Sequence, residues 1–116
     1  MKYEIVIGLE THVRVGSITK MFDAVPNAVA LERDPNINIS PVSLGLPGAL
    51  PTLSEGVVDL AVRASHGLRM TVNTFSQFDR KSYFYPDLPM GYQITQLFHP
   101  LSEHGHLDAF VGEELK

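Results

Sequence analysis

The chain has 116 residues, 44% of them apolar, a formal net charge of −4 and no cysteine. That length supplies one modest domain with enough apolar material for a core. The acidic balance argues against a free-standing nucleic-acid binder, because neutralising phosphates needs a basic surface, but it leaves room for one subunit of a larger RNA-handling assembly. Without cysteine there is no disulfide and no cysteine-ligated zinc. No run of 18 apolar residues offers a transmembrane span. The opening Met-Lys-Tyr-Glu is too soon acidic for a signal peptide, so the cytoplasm is the expected setting.

Residues 3–15 alternate, with Ile5, Ile7, Leu9, Thr11, Val13 and Val15 on one face and Glu4, Val6, Gly8, Glu10, His12 and Arg14 on the other. Period two predicts a long strand. On it Glu10 and His12 point to the same side, where a carboxylate and an imidazole can share a metal ion. They are half a site at most, and on spacing alone an exposed strand end is the better reading. Gly8 leaves space beside them.

Residues 16–51 are rich in Pro, Asn and Gly, interrupted by strand candidates over 18–22 and 37–44. The run 44–51, LGLPGALP, reads as a packed turn segment. It lacks the Gly-Lys-Ser/Thr ending of a phosphate loop. Residues 52–67 form the clearest helix. Thr52 and Glu55 fit a capping box, Val58, Ala61, Val62 and Ser65 recur at helical spacing, and Gly67 is placed to end the helix in a left-handed conformation. His66 then meets the last exposed carbonyls.

Residues 70–84 return to strand propensity, 85–89 turn, and 91–98 form another short strand. Residues 107–111 read as a strand followed by a turn with no visible partner, either an edge at a natural terminus or a cut through a longer protein. The element order predicts an α+β domain: an antiparallel sheet covered on one face by one main helix.

The densest chemistry lies in 78–96, FDRKSYFYPDLPMGYQITQ. If 78–85 is extended, Lys81, Tyr83 and Tyr85 share one face and Arg80, Ser82 and Phe84 the other. A lysine flanked by phenols suits phosphate or carboxylate; it also suits an exposed sheet face with stacked tyrosines. His99, His104 and His106 cluster with Glu103 and Asp108, but their spacing is not a zinc pattern, and a solvated hairpin is the better reading. There is no nucleophile elbow, dinucleotide fingerprint, lysine-rich patch or cationic amphipathic helix.

Three blocks, IVIGLETHV at 5–13, LGLPGALP at 44–51 and FDRKSYFYPDLP at 78–89 running on to YQITQ at 92–96, resemble the B subunit of the aspartyl/glutamyl-tRNA amidotransferase family. The resemblance spans essentially the whole chain. It implies a cradle fold similar to that of glutamine synthetase. It also implies an assembly with an amidase A subunit and a small C subunit. In that assembly the B subunit uses ATP and Mg²⁺ to activate the side-chain carboxylate of Glu-tRNA(Gln) or Asp-tRNA(Asn), for amidation by glutamine-derived ammonia. By the same resemblance Glu10 and His12 fall at the family's metal site and Lys81, Tyr83 and Tyr85 in its catalytic block. Asp79, Arg80 and Gln93 are expected to bind substrate or nucleotide. Family members are several times longer, with further acidic metal ligands expected beyond Lys116. Residues 1–116 therefore correspond to a partial N-terminal cradle domain, expected to be inactive alone. Thr11 stands where the family usually has Val. Family cysteines around 21–24 and 41–44, a structural zinc site in some members, have no counterpart here. A non-catalytic interaction or scaffold module derived from such a subunit is the alternative.

Overall fold

The computed structural model describes residues 2–27 and 34–115; residues 28–33 of the expected loop region lie outside the described residues. In chain order the elements are α1 (Glu55–Gly67), β1 (Thr71–Val72), β2 (Asp79–Ser82), β3 (Tyr92–Thr95), β4 (Ser102–Glu103), β5 (Phe110–Val111) and β6 (Glu114–Leu115). Among the described residues the class is α+β with one helix, as expected, and the strands do not merge into one covered sheet. They form three antiparallel two-stranded ladders, β1–β4, β2–β3 and β5–β6.

Helix α1 starts at Glu55, later than the capping signal at Thr52 suggested. The N-cap is Ser54, and its side chain does not cap. Its hydroxyl instead accepts from Thr19 Oγ1 at 3.2 Å. The amides of Thr52 and Ser54 donate to the carbonyls of Phe22 and Met21 at 3.1 and 2.9 Å, pinning the approach to the helix on the 19–26 turn. That turn is itself closed by a bridge between Thr19 and Pro26.

The helix ends in a Schellman pattern, with Met70 N donating to Ser65 O at 2.9 Å and Arg69 N to His66 O at 3.0 Å. The left-handed residue is Arg69, φ +53°, and not Gly67. Arg69 is retained there by its side chain, whose Nη1 reaches Asp108 Oδ2 and His106 Nε2, each at 2.8 Å. The His106 amide donates to Leu68 O at 2.9 Å, so residues 104–108 close over the helix end.

The helix packs on β1. Val57 is the one apolar side chain among the described residues that is buried, at 4% exposure. Ser65, also buried, donates to Ala61 O at 2.9 Å and shares a hydrogen bond with Ser102 Oγ across to β4. Between β3 and β4 the Gln96 side chain acts as a staple. Its Nε2 donates to Ser76 Oγ and its Oε1 accepts from Leu101 N at 3.0 Å.

Further sequence expectations change. Among the described residues, 4–15 join no ladder, and Ile5, Ile7 and Leu9 are exposed, Leu9 at 96%. Alternation makes a segment fit for a sheet, but a strand exists only where a neighbour takes its N–H and C=O groups. The strand expected over 107–111 shrinks to Phe110–Val111 and does have a partner. It returns through the two-residue loop Gly112–Glu113, with Gly112 at φ +66°, to pair with Glu114–Leu115. Of the strand candidates at 18–22 and 37–44, the first contributes only the bridge at Thr19 and the second becomes a turn over 41–45. No helix among the described residues is long and apolar enough to cross a membrane.

Gly45 has φ +67°, and a Cβ there would stand 2.8 Å from Pro89 O, so the 44–51 segment touches the 85–91 turn backbone to backbone. Gly48 is equally left-handed, at φ +83°, but opens onto empty space. Alanine at either position meets the left-handed penalty of roughly 1–2 kcal/mol. We expect Gly45→Ala to lower the urea midpoint clearly more than Gly48→Ala; equal losses would remove the Pro89 contact from this account. We also expect Gln96→Ala to cost about 1–3 kcal/mol by stranding the Leu101 amide. Faster hydrogen exchange at Leu101 is the direct readout.

Candidate functional site

Ladder β2–β3 organises the region of densest chemistry. Its register pairs Asp79 with Thr95, Arg80 with Ile94, Lys81 with Gln93 and Ser82 with Tyr92. Residues directly opposite share a face. One face therefore carries Asp79, Thr95, Lys81 and Gln93, and the other Arg80, Ile94, Ser82 and Tyr92. The connection between the strands is held by Tyr83 N to Gly91 O, Leu88 N to Tyr85 O and Gly91 N to Leu88 O, each at 3.0 Å. Gly91 supplies the left-handed φ of +71° that the turn into β3 requires.

A trough of about 410 Å³ lies against this ladder. Its polar lining comes from Lys81, Tyr92, Gln93 and Thr95 on the ladder and from Glu10 and His12 of the N-terminal segment. Its apolar wall includes Phe22 and Val42 from the loop region and Leu88 and Met90 from the turn. Glu10 Oε1 and His12 Nε2 stand 3.6 Å apart at the rim, with side chains 89% and 92% exposed. They are the two candidate metal donors of the trough. Among the described residues no group of three or more His, Asp or Glu side chains converges as a metal site.

The other sequence candidates are placed elsewhere. Asp79 and Arg80 line a neighbouring, more apolar cavity of about 360 Å³, backed by Phe22, Phe78 and Leu53. The rings of Phe22 and Phe78 meet edge to face at 5.2 Å. Asp79 Oδ2 is buried there with no hydrogen-bond donor among the described residues. Arg80 lies over the Tyr92 ring, 5.6 Å from its centroid, a cation–π arrangement. Tyr83 and Tyr85 lie beyond the end of β2 and stack on each other, centroids 5.9 Å apart and planes at 18°. They do not line the trough. Gln96, in the same motif, is committed to the staple described above. The three histidines also separate: His99 packs on Phe75, His104 sits 3.7 Å from Glu103, and His106 accepts from Arg69.

Sequence reasoning passed over Asp23. It is 8% exposed, a carboxylate inside the loop region. Its Oδ2 accepts from Ser40 Oγ and its Oδ1 from Val25 N at 3.3 Å. Burial pushes its carboxyl upward. Hydrogen bonds from Ser40 and the Val25 amide, together with the nearby Ser43 hydroxyl and the Lys20 charge, outweigh that and hold it below the ordinary aspartate range. The available signal was an acidic residue directly after Phe22 with Ser-Pro-x-Ser, residues 40–43, downstream.

Comparison with known proteins agrees with the motif reading. The family model described as the GatB/GatE catalytic domain matches residues 5–116. The B subunit of the aspartyl/glutamyl-tRNA(Asn/Gln) amidotransferase of Elusimicrobium minutum is 50% identical over 107 residues, 92% of this chain and 23% of the relative. Its counterpart in Synechococcus elongatus is 49% identical over 115 residues, 99% of this chain and 23% of the relative. The B subunit of a chloroplastic/mitochondrial glutamyl-tRNA(Gln) amidotransferase of Physcomitrium patens is 50% identical over 113 residues, 97% of this chain and 20% of the relative. The chain spans between a fifth and a quarter of the length of these relatives. A match over nearly all of its residues, at half identity, means that the chain belongs to the GatB/GatE catalytic-domain family.

Proposed function

We propose that the chain forms the opening part of the ATP-handling cradle in the B subunit of a tRNA-dependent amidotransferase, and that the trough between the N-terminal segment and ladder β2–β3 receives the phosphate-bearing end of the substrate. One observation carries this reading: Glu10 and His12 line the same trough as Lys81 and Gln93, which come far later in the chain. A carboxylate, an imidazole, an ammonium and an amide around one open cavity match a site that orients phosphate and carboxylate groups. The complete subunit would work with an amidase A subunit and a small C subunit on mischarged Glu-tRNA(Gln) or Asp-tRNA(Asn), the substrates that the relatives' names indicate.

In this reading the side-chain carboxylate of the tRNA-borne amino acid attacks the γ-phosphorus of ATP. The bond to the bridging oxygen breaks, ADP leaves, and an acyl phosphate results. Ammonia then displaces phosphate and leaves the amide. Lys81 offsets negative charge on the phosphoryl group in flight, which a flexible point charge is suited to follow. Gln93, opposite it on the ladder, can donate to one oxygen and accept from a hydroxyl or amine. The donor set at the rim fits a Mg²⁺ that takes most of its ligands from phosphate and water, with Glu10 as the oxygen ligand and His12 orienting Glu10 or a bound water. Magnesium, when bound, neutralises phosphate charge. Tyr83 and Tyr85, stacked outside the trough, are assigned to flank the aminoacyl end. Asp79 and Arg80 support β2 from the adjoining cavity.

The test is Lys81→Ala in a protein of the relatives' length, assembled with its A and C partners. We expect ATP-dependent amide formation on the charged tRNA to fall at least about a hundredfold, the scale of losing one preorganised charge contact at a reacting group. Basal glutamine hydrolysis by the A subunit should continue. Unchanged transamidation would remove Lys81 from the reaction and favour a non-catalytic docking role for this face.

A further inference from the structure

One buried charge has no part in the chemistry just described. Asp23 lies in the loop region, next to Phe22, which lines the trough. Ser40 lies 17 positions later, two before Val42, which lines the same trough. The Asp23 carboxylate joins the two stretches. Oδ2 accepts from Ser40 Oγ, and Oδ1 accepts from Val25 N at 3.3 Å.

The Ser40 side of the junction is itself tightly wound. Ser40 N donates to Ser43 Oγ at 2.8 Å, while Val42 N and Ser43 N donate to Ser40 Oγ at 3.1 and 3.3 Å. Leu44 N and Leu46 N continue the turn onto the carbonyls of Ser40 and Pro41, both at 3.0 Å. The next contact outward is Gly45 against the Pro89 backbone, at the turn that contributes Leu88 and Met90 to the trough.

We propose that the clasp of Asp23 with Ser40, whose turn Ser43 braces, is the positioning device for the loop wall of the trough, setting where Phe22 and Val42 stand relative to ladder β2–β3. It acts whatever the trough binds. Asp23 is a positioning residue and touches no reacting group. The geometry explains why a charge is buried here. A carboxylate accepts several hydrogen bonds at once, and hydroxyl or amide donors to an ionised oxygen are about twice as strong as to a neutral one. Apolar residues at 23 and 40 would leave the Val25, Val42 and Ser43 amides seeking other acceptors.

Among the described residues the charged group acting on Asp23 is Lys20, whose ammonium also donates to Asn38 O at 2.6 Å, tying the same two stretches together. With the folded carboxyl held below its ordinary range, the clasp's contribution is complete above the unfolded aspartate value of about 3.9 and is lost as pH falls through the folded value. At neutral pH the clasp is closed; acid opens it.

Carboxyl-carbon NMR of the chain tests this. In the unmodified chain the Asp23 Cγ midpoint should lie below the ordinary aspartate range, and the Val25 amide shift should follow the same midpoint. Ser40→Ala should raise the midpoint and weaken the Phe22–Phe78 ring cross-peaks, while the amides of α1 keep their dispersion. Ser40→Thr, which keeps the hydroxyl, should restore both. An Asp23 that titrates in or above the ordinary range in the unmodified chain overturns the proposal, and that result stands even if a variant unfolds. So does a folded Ser40→Ala chain with an unchanged midpoint and intact ring cross-peaks.

Discussion

The four-rung antiparallel ladder between Asp79–Ser82 and Tyr92–Thr95 is the constraint on which the site depends. Its register sets Lys81 directly opposite Gln93, so that the two stand side by side in the trough lining. A slip of one residue would exchange Lys81 for Arg80 or Ser82 on the trough side and dissolve the pairing with Gln93. Register in a hairpin is set by its connection, and here the connection is clamped on itself from Tyr83 to Gly91. The 44–51 segment presses on that clamp where Gly45 meets Pro89. Loop, turn and ladder therefore position one another, and the N-terminal segment brings Glu10 and His12 to the open side.

Cohesion in this chain is more polar than apolar. Val57 is the single buried apolar side chain among the described residues, while Ile5, Leu9, Ile18 and Phe84 stand in solvent. The radius of gyration, 17.9 Å, exceeds the roughly 13 Å of a compact chain near this size. An apolar side chain contributes its roughly 1.5–3 kcal/mol only when covered. What joins distant stretches here is a set of side-chain staples: Asp23 with Ser40, Gln96 with Ser76 and Leu101, Ser65 with Ser102, and Arg69 with Asp108. The part-buried staples carry a net benefit of about 1 kcal/mol each and a larger cost if one partner is removed, whereas the exposed Arg69–Asp108 pair contributes at most about 1 kcal/mol.

The helix was the most legible element, because its period and its apolar face are local properties. Its ends were less so. Ser54 replaced Thr52 as N-cap because Thr52 and Ser54 donate to the Phe22 and Met21 carbonyls. Arg69 took the left-handed position because Asp108 and His106 hold its side chain. The alternation over 3–15 was real as a pattern, but pairing is a relation between segments, which period two alone cannot supply. The nearness of Glu10 and His12 follows from a spacing of two; their arrival beside Lys81 and Gln93 does not follow from any local rule. Motif resemblance pointed to all four, while the stacking of Tyr83 on Tyr85 outside the trough and the burial of the Asp79 Oδ2 atom are tertiary and follow from no local pattern. Asp23 stayed hidden because its partner is 17 positions away, and the Ser-Pro-x-Ser run at 40–43 does not by itself say which acid it meets.

The central claim is that the N-terminal segment and ladder β2–β3 together hold a nucleotide's phosphates. Substituting Mn²⁺ for Mg²⁺ and adding ATP to the isotopically labelled chain tests it most directly, because paramagnetic broadening falls steeply with distance from the ion. The account predicts selective, ATP-dependent broadening of Glu10, His12, Lys81 and Gln93, with Tyr85 and the amides of α1 spared. Broadening centred on His99, His104 or Asp108, or none at the Glu10–His12 rim when ATP is present, would contradict it.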